Sequence, residues 1–541
     1  MRDNKSFYRK IVYVLLLAML FFPLSYLGAP ATVDDPGGEL ALVRDEAGLG
    51  QSNLGAIDPA SETMRMATLG LRGIAVSMLW NKANEYKKKE DWTNFRATLE
   101  QLAKLQPYFI SFWKYQAWNL SYNVSVELDD VRDRYGYVTR GIDFLKEGTK
   151  YNQANPHLIS ELGWFIGNKI GRADERVEYR RLFKADDDFH DRFFDGNPPP
   201  PEQRDNWLVS RREYEDSVSV VDDQKKSIGQ KNPTIFFAAP AMSQINYSEA
   251  IEEDGVFQEK ARSSWRTANN MWRDYGNREM RSSRGSLIRL ADLNRWELET
   301  RKLESEFYNL APGIREEIVA EKRAALSPEL LSALAVPASI RTEEQHNLAS
   351  QAEAALDVSL VEIAEQIAKK YPEKAGQANK LAVRIAENQD RIFLIKNNRQ
   401  VSNYDYWKTR TEFEQTNDAL RARELAYAAN LAFKEDADLL EARRLYEESF
   451  DLWAKVIEAH PSLELDSTTG SDLMEYIEKY NEILQQLDLS LSDEEVDANF
   501  PLWEVVEASD QERKYADAIE EHKQRQEKTT ETQAEAAEES Q

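Results

Sequence analysis

The chain has 541 residues, 42% of them hydrophobic and 10% aromatic, which is core material for two or three domains and too much for a disordered chain. Lys and Arg number 69 against 95 Asp and Glu, a net charge of −26, and this argues against nucleic acid as a partner because phosphate binding needs clustered positive charge. Cysteine is absent, so disulfides, thiolate catalysis and thiolate zinc sites are excluded.

The first 28 residues read as an address. Arg2, Lys5, Arg9 and Lys10 precede an apolar run that starts at Ile11 and ends at Gly28, and acidic residues follow it. The positive-inside rule places the N-terminus in the cytoplasm and the large remainder outside it. At about 1.5 Å per residue the run just reaches across a hydrocarbon core of about 30 Å. It reads as a single-pass signal anchor in the cytoplasmic (inner) membrane. The alternative is a secreted or periplasmic protein cleaved near Ala31, after the small residues Ala29-Pro30-Ala31. Pro23 and Ser25 count against a retained helix and Pro30 against cleavage, so both readings stay open. Residues 29–60, rich in Gly and acid, read as a flexible tether.

Residues 61–173 carry helical periodicity. Ser61 is a cap, and apolar positions recur every three to four residues up to Trp80, Ala83 and Tyr86. After a break at 88–91, Phe95, Leu99, Leu102 and Leu105 define one face of a second helix, which Pro107 ends. This pair resembles the tetratricopeptide repeat. Arg72, Trp80, Tyr86 and Pro107 stand where the resemblance implies repeat-packing residues, although the spacing departs by a residue or so. Leu69-Gly70-x-Arg72 followed by Leu79-Trp80 resembles the opening repeat of bacterial membrane-anchored proteins of tetratricopeptide type, and the chain as a whole is similar to large, uncharacterised membrane-anchored proteins of planctomycete bacteria, a likeness that implies no activity.

The next helix, FISFWKYQAWNLSYNV, has aromatics on more than one face. Phe112, Trp113, Trp118 and Tyr122 are the candidate lining of a partner groove, against the plainer reading that aromatic stripes pack as core. Trp80 and Trp113 are 33 residues apart, close to one repeat; Pro107 to Pro156 is 49 and Pro156 to Pro233 is 77, so the array carries insertions.

Residues 174–232 read as a polar insertion. Its cluster Asp186, Asp188, His190 and Asp191 offers oxygen and imidazole ligands for a metal. It fails as a calcium loop, with Asp191 where glycine is needed and Asn197 in place of the closing glutamate, and an acidic helix end is the plainer reading. Residues 233–310 hold a helical pair with Ala261, Trp265, Ala268 and Trp272 on its return helix, then a charged helix. Residues 311–508 form a second helical region with a long repeat-like pair carrying Ala442, Tyr446, Phe450 and Trp453. Residues 509–541 read as an acidic tail, disordered at least from 529.

No catalytic constellation emerges. The five histidines, His157, His190, His346, His460 and His522, form no HExxH pair, and no P-loop, GxSxG or GxGxxG pattern occurs. The expectation is an all-α, degenerate tetratricopeptide-like helical-hairpin solenoid with insertions and one N-terminal transmembrane helix. Its role would be a non-enzymatic scaffold or adaptor that binds protein or peptide partners and uses no cofactor. The rivals are an all-helical enzyme acting on an envelope polymer and a purely structural oligomer.

Overall fold

The computed structural model describes residues 4–27, 37–46, 72–105, 107, 109–153, 155–282, 284–463, 467–510 and 513–539. The protein is all-α. Among the described residues, β structure is confined to one antiparallel pair, β1 (Met280–Arg281) with β2 (Leu287–Ile288). The chain forms two compact units, Met1–Lys231 with Ala239–Ile251, and Asn232–Ala238 with Glu252–Gln541.

Helix α1 (Asn4–Leu27) contains Pro23, and Val12, Leu15, Leu16 and Leu20 on it are exposed. Among the described residues no helix is long and apolar enough to cross a membrane. Gly28, the small-residue site at 29–31 and the expected helix start at Ser61 lie outside the described residues, as does most of the expected tether. Within that tether stretch, α2 (Glu39–Glu46) is helical.

The first unit is built from helix pairs: α3 (Arg72–Lys88) packs on α4 (Trp92–Leu105), and α5 (Ile110–Trp118) on α6 (Val131–Tyr151). Their periodicity explains the packing. Phe95, Leu99 and Leu102 form one buried stripe of α4, and Val138, Ile142 and Leu145 one of α6. Capping fixes where helices start. The Asp130 carboxylate accepts from the N–H groups of Arg132 and Asp133, and the Asn155 side chain accepts from Leu158 N–H ahead of α7 (Pro156–Trp164). Pro107 does more than stop a helix: its carbonyl accepts from Trp113 Nε1 at 2.7 Å and from Asn152 Nδ2 at 2.9 Å.

The stretch 174–232, expected as a polar insertion, is largely helical and contributes a buried aromatic stripe to the first unit. It forms α8 (Arg176–Ala185), α9 (Asp187–Phe193) and α10 (Asn206–Gln224), and α10 packs along α7. Tyr179, Phe183, Phe189 and Phe193 join the hydrophobic core of the first unit. They recur at intervals of four, six and four residues among charged residues, so polar composition concealed an amphipathic pattern.

Helix α11 (Pro233–Glu253) is shared between the two units. In the second unit α12 (Gln258–Asn277) buries Ala261, Trp265, Ala268 and Trp272 completely on one face. Helices α13 (Leu293–Asn309), α14 (Ile314–Ala324), α15 (Pro328–Ala335), α16 (Glu343–Leu356), α17 (Leu360–Lys370) and α18 (Ala375–Ser402) follow. Leu303, Phe307, Ile314, Ile363, Ile367, Leu381 and Ile385 form one core among them. After α19 (Tyr404–Phe413), a second core is centred on α20 (Asn417–Lys434) and α21 (Leu439–Ala459), where alanines of α20 receive Tyr446, Phe450 and Trp453 of α21. Helices α22 (Ser467–Gln486), α23 (Glu494–Asp497) and α24 (Trp503–Ser509) complete that core.

The last segment, expected as a disordered tail, is helical over α25 (Ala516–Glu539). Its first turns are attached: Arg525 Nη1 donates to Asp497 Oδ2 at 2.6 Å, His522 Nδ1 lies 2.5 Å from Asp497 Oδ1, and the His522 ring stacks on Trp503.

Candidate functional site

Sequence reasoning put Phe112, Trp113, Trp118 and Tyr122 in one groove, and the structure divides them. Trp113 is 0% exposed. It stacks on Tyr151, touches Phe144 and lies against Gly148, where a Cβ would come within 2.7 Å of its ring. Phe112 is also buried, edge-on to Phe144. Both belong to the core, because their side of α5 faces α6.

The opposite side of the same helix is an exposed aromatic strip. Tyr115 is 48% exposed and Trp118 42%, and Trp164 at the end of α7 is 40% exposed. The rings follow one another at near-constant intervals: Trp80 to Tyr115 is 5.9 Å, Tyr115 to Trp118 6.5 Å, Trp118 to Tyr122 6.1 Å and Tyr122 to Trp164 6.2 Å. The last two contacts are stacked, with interplanar angles of 16° and 23°. Residues 115, 118 and 122 share a face by helical spacing, and Trp164 extends the row from a neighbouring helix.

Two π-helical turns stand beside the strip, Asn119–Val124 after α5 and Phe165–Lys169 after α7. Each accommodates an extra residue in the helix, a distortion that recurs at functional sites. Tyr122 lies on the first and Lys169 on the second. The Lys169 ammonium sits 4.3 Å from the centre of the Tyr122 ring, and burial holds its pKa below the usual lysine value. Burial, helped by Glu161, pushes the Tyr122 hydroxyl up to about 12.

Lysines stand beside the strip, in a chain whose net charge is −26. Lys87 donates to Asn119 Oδ1 at 2.7 Å, Lys114 pairs with Glu161 at 2.9 Å and Lys231 donates to Ser160 Oγ at 3.0 Å. Of these, Lys114 and Lys231 lie within the influence of Glu161, while Lys169 is near Glu175 and Asp174. No known protein family matches this chain, and no curated protein or solved structure is detectably similar to it.

Of the repeat-packing residues, Trp80 and Tyr86 are half-buried against the core and Pro107 is buried in its turn. Arg72 opens α3, and its side chain is outside the described residues. The metal candidates disperse. His190 is 0% exposed, its Nε2 is 2.8 Å from the Phe183 carbonyl, and its ring is packed by Phe183, Phe189 and Phe194. Burial lowers its pKa. Asp186 caps α9 through Phe189 N–H, while Asp188 and Asp191 are exposed. Among the described residues no group of three or more potential ligands is placed to hold a metal ion.

Sequence reasoning missed Tyr115, Trp164 and Lys169. The first had a signal: 115, 118 and 122 lie off the stripe formed by 112, 113, 116, 117 and 120. The others depend on α7 lying beside α5, which no local pattern reports.

The second unit holds a buried ionic cluster. Glu414 is fully buried and accepts from Arg423, with Nε at 2.8 Å. Arg410 reaches Asp472 at 3.3 Å and Tyr406 at 2.9 Å. Glu252 accepts from Trp265 Nε1 at 2.7 Å and lies 3.8 Å from Arg423. Burial raises the Glu252 carboxyl well above its ordinary value, against the opposing pull of Arg423. These bonds join five separate helices, so the cluster reads as architecture.

Proposed function

We propose that this protein is a non-catalytic, helical-repeat scaffold that captures a protein or peptide partner on the strip Tyr115–Trp118–Tyr122–Trp164. The observation that carries the reading is the strip itself. A contiguous row of large aromatic side chains, with Tyr115, Trp118 and Trp164 exposed and Tyr122 half-buried between them, while the same helix buries its other aromatics, marks an interaction surface. With Trp80 the row runs along α3, α5 and α7; α3 and α5 are the first members of successive pairs, and such helices line the extended surfaces of stacked helical repeats. Tetratricopeptide-like solenoid organisation is part of this proposal.

Anchorage by residues 11–28, with the body outside the cytoplasm, also belongs to the proposal. It is supported by Arg2, Lys5, Arg9 and Lys10 ahead of the apolar run and by exposed Val12, Leu15, Leu16 and Leu20 on α1. A reporter fused after Gln541 tests it: one active only in an extracytoplasmic compartment is expected, and one active only in the cytoplasm reverses the orientation.

The binding claim is tested by purifying the intact protein and a Trp118→Ala/Trp164→Ala variant from membranes under identical conditions. Equal yields of folded protein with loss of a specific co-purifying protein from the variant are expected. An unchanged set of co-purifying proteins would remove the strip from the account.

A further inference from the structure

A second aromatic site lies in the first unit. Between α4 and α6 is a recess of about 150 Å³, a volume that in other proteins admits one benzene ring. Trp92, Phe95, Tyr137 and Phe144 form its wall; Phe95 is buried and the other three are half-buried beside the opening. Trp92 and Phe95 meet edge to face with centroids 6.0 Å apart. The mouth carries one guanidinium, Arg140, and three carboxylates, Glu100, Asp143 and Glu147. These charges are not equivalent. Asp143 pairs with Arg192 at 3.1 Å, and Glu100 and Glu147 have interaction partners of their own. Arg140 lies 4.7 Å over the Tyr137 ring, and among the described residues no carboxylate or carbonyl accepts from its N–H groups.

Such a recess selects a neutral ring that brings its own acceptor. The walls favour one flat ring, held by edge-to-face and offset contacts. An ammonium on that ring would meet carboxylates already engaged and would be repelled by Arg140. A carboxylate on it would suit Arg140 but would share the mouth with three like charges. A bare hydrocarbon ring would fill the space and gain nothing from the guanidinium donors. A phenol meets every demand. Its ring fills the recess and its oxygen, at the mouth, accepts from Arg140; its O–H donates to a carboxylate, whose two oxygens have lone pairs for more than one donor. We propose that this recess binds a neutral phenolic ring, whether on a free small molecule or on a tyrosine side chain. The recess shares no residue with the strip, so the two claims stand or fall separately.

The test is titration calorimetry on the intact protein in a maltoside detergent, each titration corrected by an identical one into detergent alone. The probes are phenol, benzene, benzoate, benzylamine and Nα-acetyltyrosinamide. Binding of phenol or the tyrosine derivative about fivefold or more tighter than benzene, benzoate and benzylamine supports the proposal, the margin expected of one hydrogen bond to a charged donor. Whichever of the two binds more tightly identifies the source of the ring. Arg140→Met, at an exposed position, keeps an apolar stem and removes the donors. It should weaken phenol about fivefold, to the level of benzene, and leave benzene nearly unchanged. Trp92→Leu, which removes a ring from the wall, should weaken phenol and benzene together. Circular dichroism matching the wild type shows that each variant is folded. Equal affinity for phenol and benzene, tighter binding of either ion than of phenol, no binding of any probe, or unchanged phenol binding by a folded Arg140→Met or Trp92→Leu variant overturns the proposal.

Discussion

Two tryptophan-bearing helices, α5 and α12, use their aromatics in opposite ways. In α12, Trp265 and Trp272 stand with Ala261 and Ala268 on a single face, and all four are fully buried. Lys260, Arg266, Arg273 and Asp274 occupy the other side, exposed to solvent. Every aromatic ring that the helix carries is spent on packing. In α5 the core is already supplied by Phe112, Trp113 and Ala117, yet Tyr115 and Trp118 point outward and continue into Tyr122 and Trp164. Aromatic content is therefore no guide to function. What distinguishes α5 is a second aromatic face beyond what the core requires, and a core has no physical use for such a face.

Substitutions can break or sharpen this contrast. The largest expected effect is Trp265→Ala, which empties a fully buried site and leaves Glu252 without its indole donor. A loss of about 3–5 kcal/mol in denaturant-unfolding stability is expected. Trp118→Ala, in contrast, should cost less than about 1 kcal/mol in the same assay, because the ring is partly solvated. If the two variants lost similar stability, the distinction between a packing face and a binding face would disappear. Gly148→Ala should destabilise by about 1–3 kcal/mol, since the new methyl meets the Trp113 ring, which has no room to move.

A pH effect comes next. Burial raises the Glu252 carboxyl above its ordinary value of 4.5, so between the unfolded and folded values the folded protein holds more protons than the unfolded chain. Its contribution to stability is full below pH 4.5 and declines as pH rises through the folded value. Glu252→Gln keeps an acceptor for Trp265 and cannot titrate. Its unfolding free energy, measured from pH 5 to 8, should decline less with pH than that of the wild type, and parallel curves would contradict the assignment. A modest effect is expected at the cap of α6, where Asp130→Ala should lower stability by about 1 kcal/mol.

How much of this was visible in the sequence depended on how local each cause is. The stripe Phe95, Leu99, Leu102 and the four-three-four spacing of Ala261, Trp265, Ala268 and Trp272 are properties of one helix, and both are buried as their periodicity predicts. The Ser327-Pro328 start of α15 is equally local, a cap residue followed by a proline. Reasoning failed where the cause lies elsewhere in the chain. Trp113 belongs to the core because Gly148 makes room for it and the Pro107 carbonyl accepts its indole hydrogen. His190 looked like a ligand beside aspartates until its ring proved to be enclosed by phenylalanines and the Phe183 carbonyl. The last helix docks through Asp497 and Trp503, which the composition of residues 509–541 does not report.

The central claim is that the outward face of α5 is a contact surface. It is tested most directly by placing a photo-crosslinking amino acid at Trp118 and, separately, at Val177, which is also exposed in the first unit and lies off the strip. After irradiation of cells making the full chain, a discrete adduct from position 118 that position 177 does not form is predicted. Adding Trp164→Ala should diminish that adduct. The same adduct pattern from both positions, or no adduct from position 118 beyond background, would contradict the account.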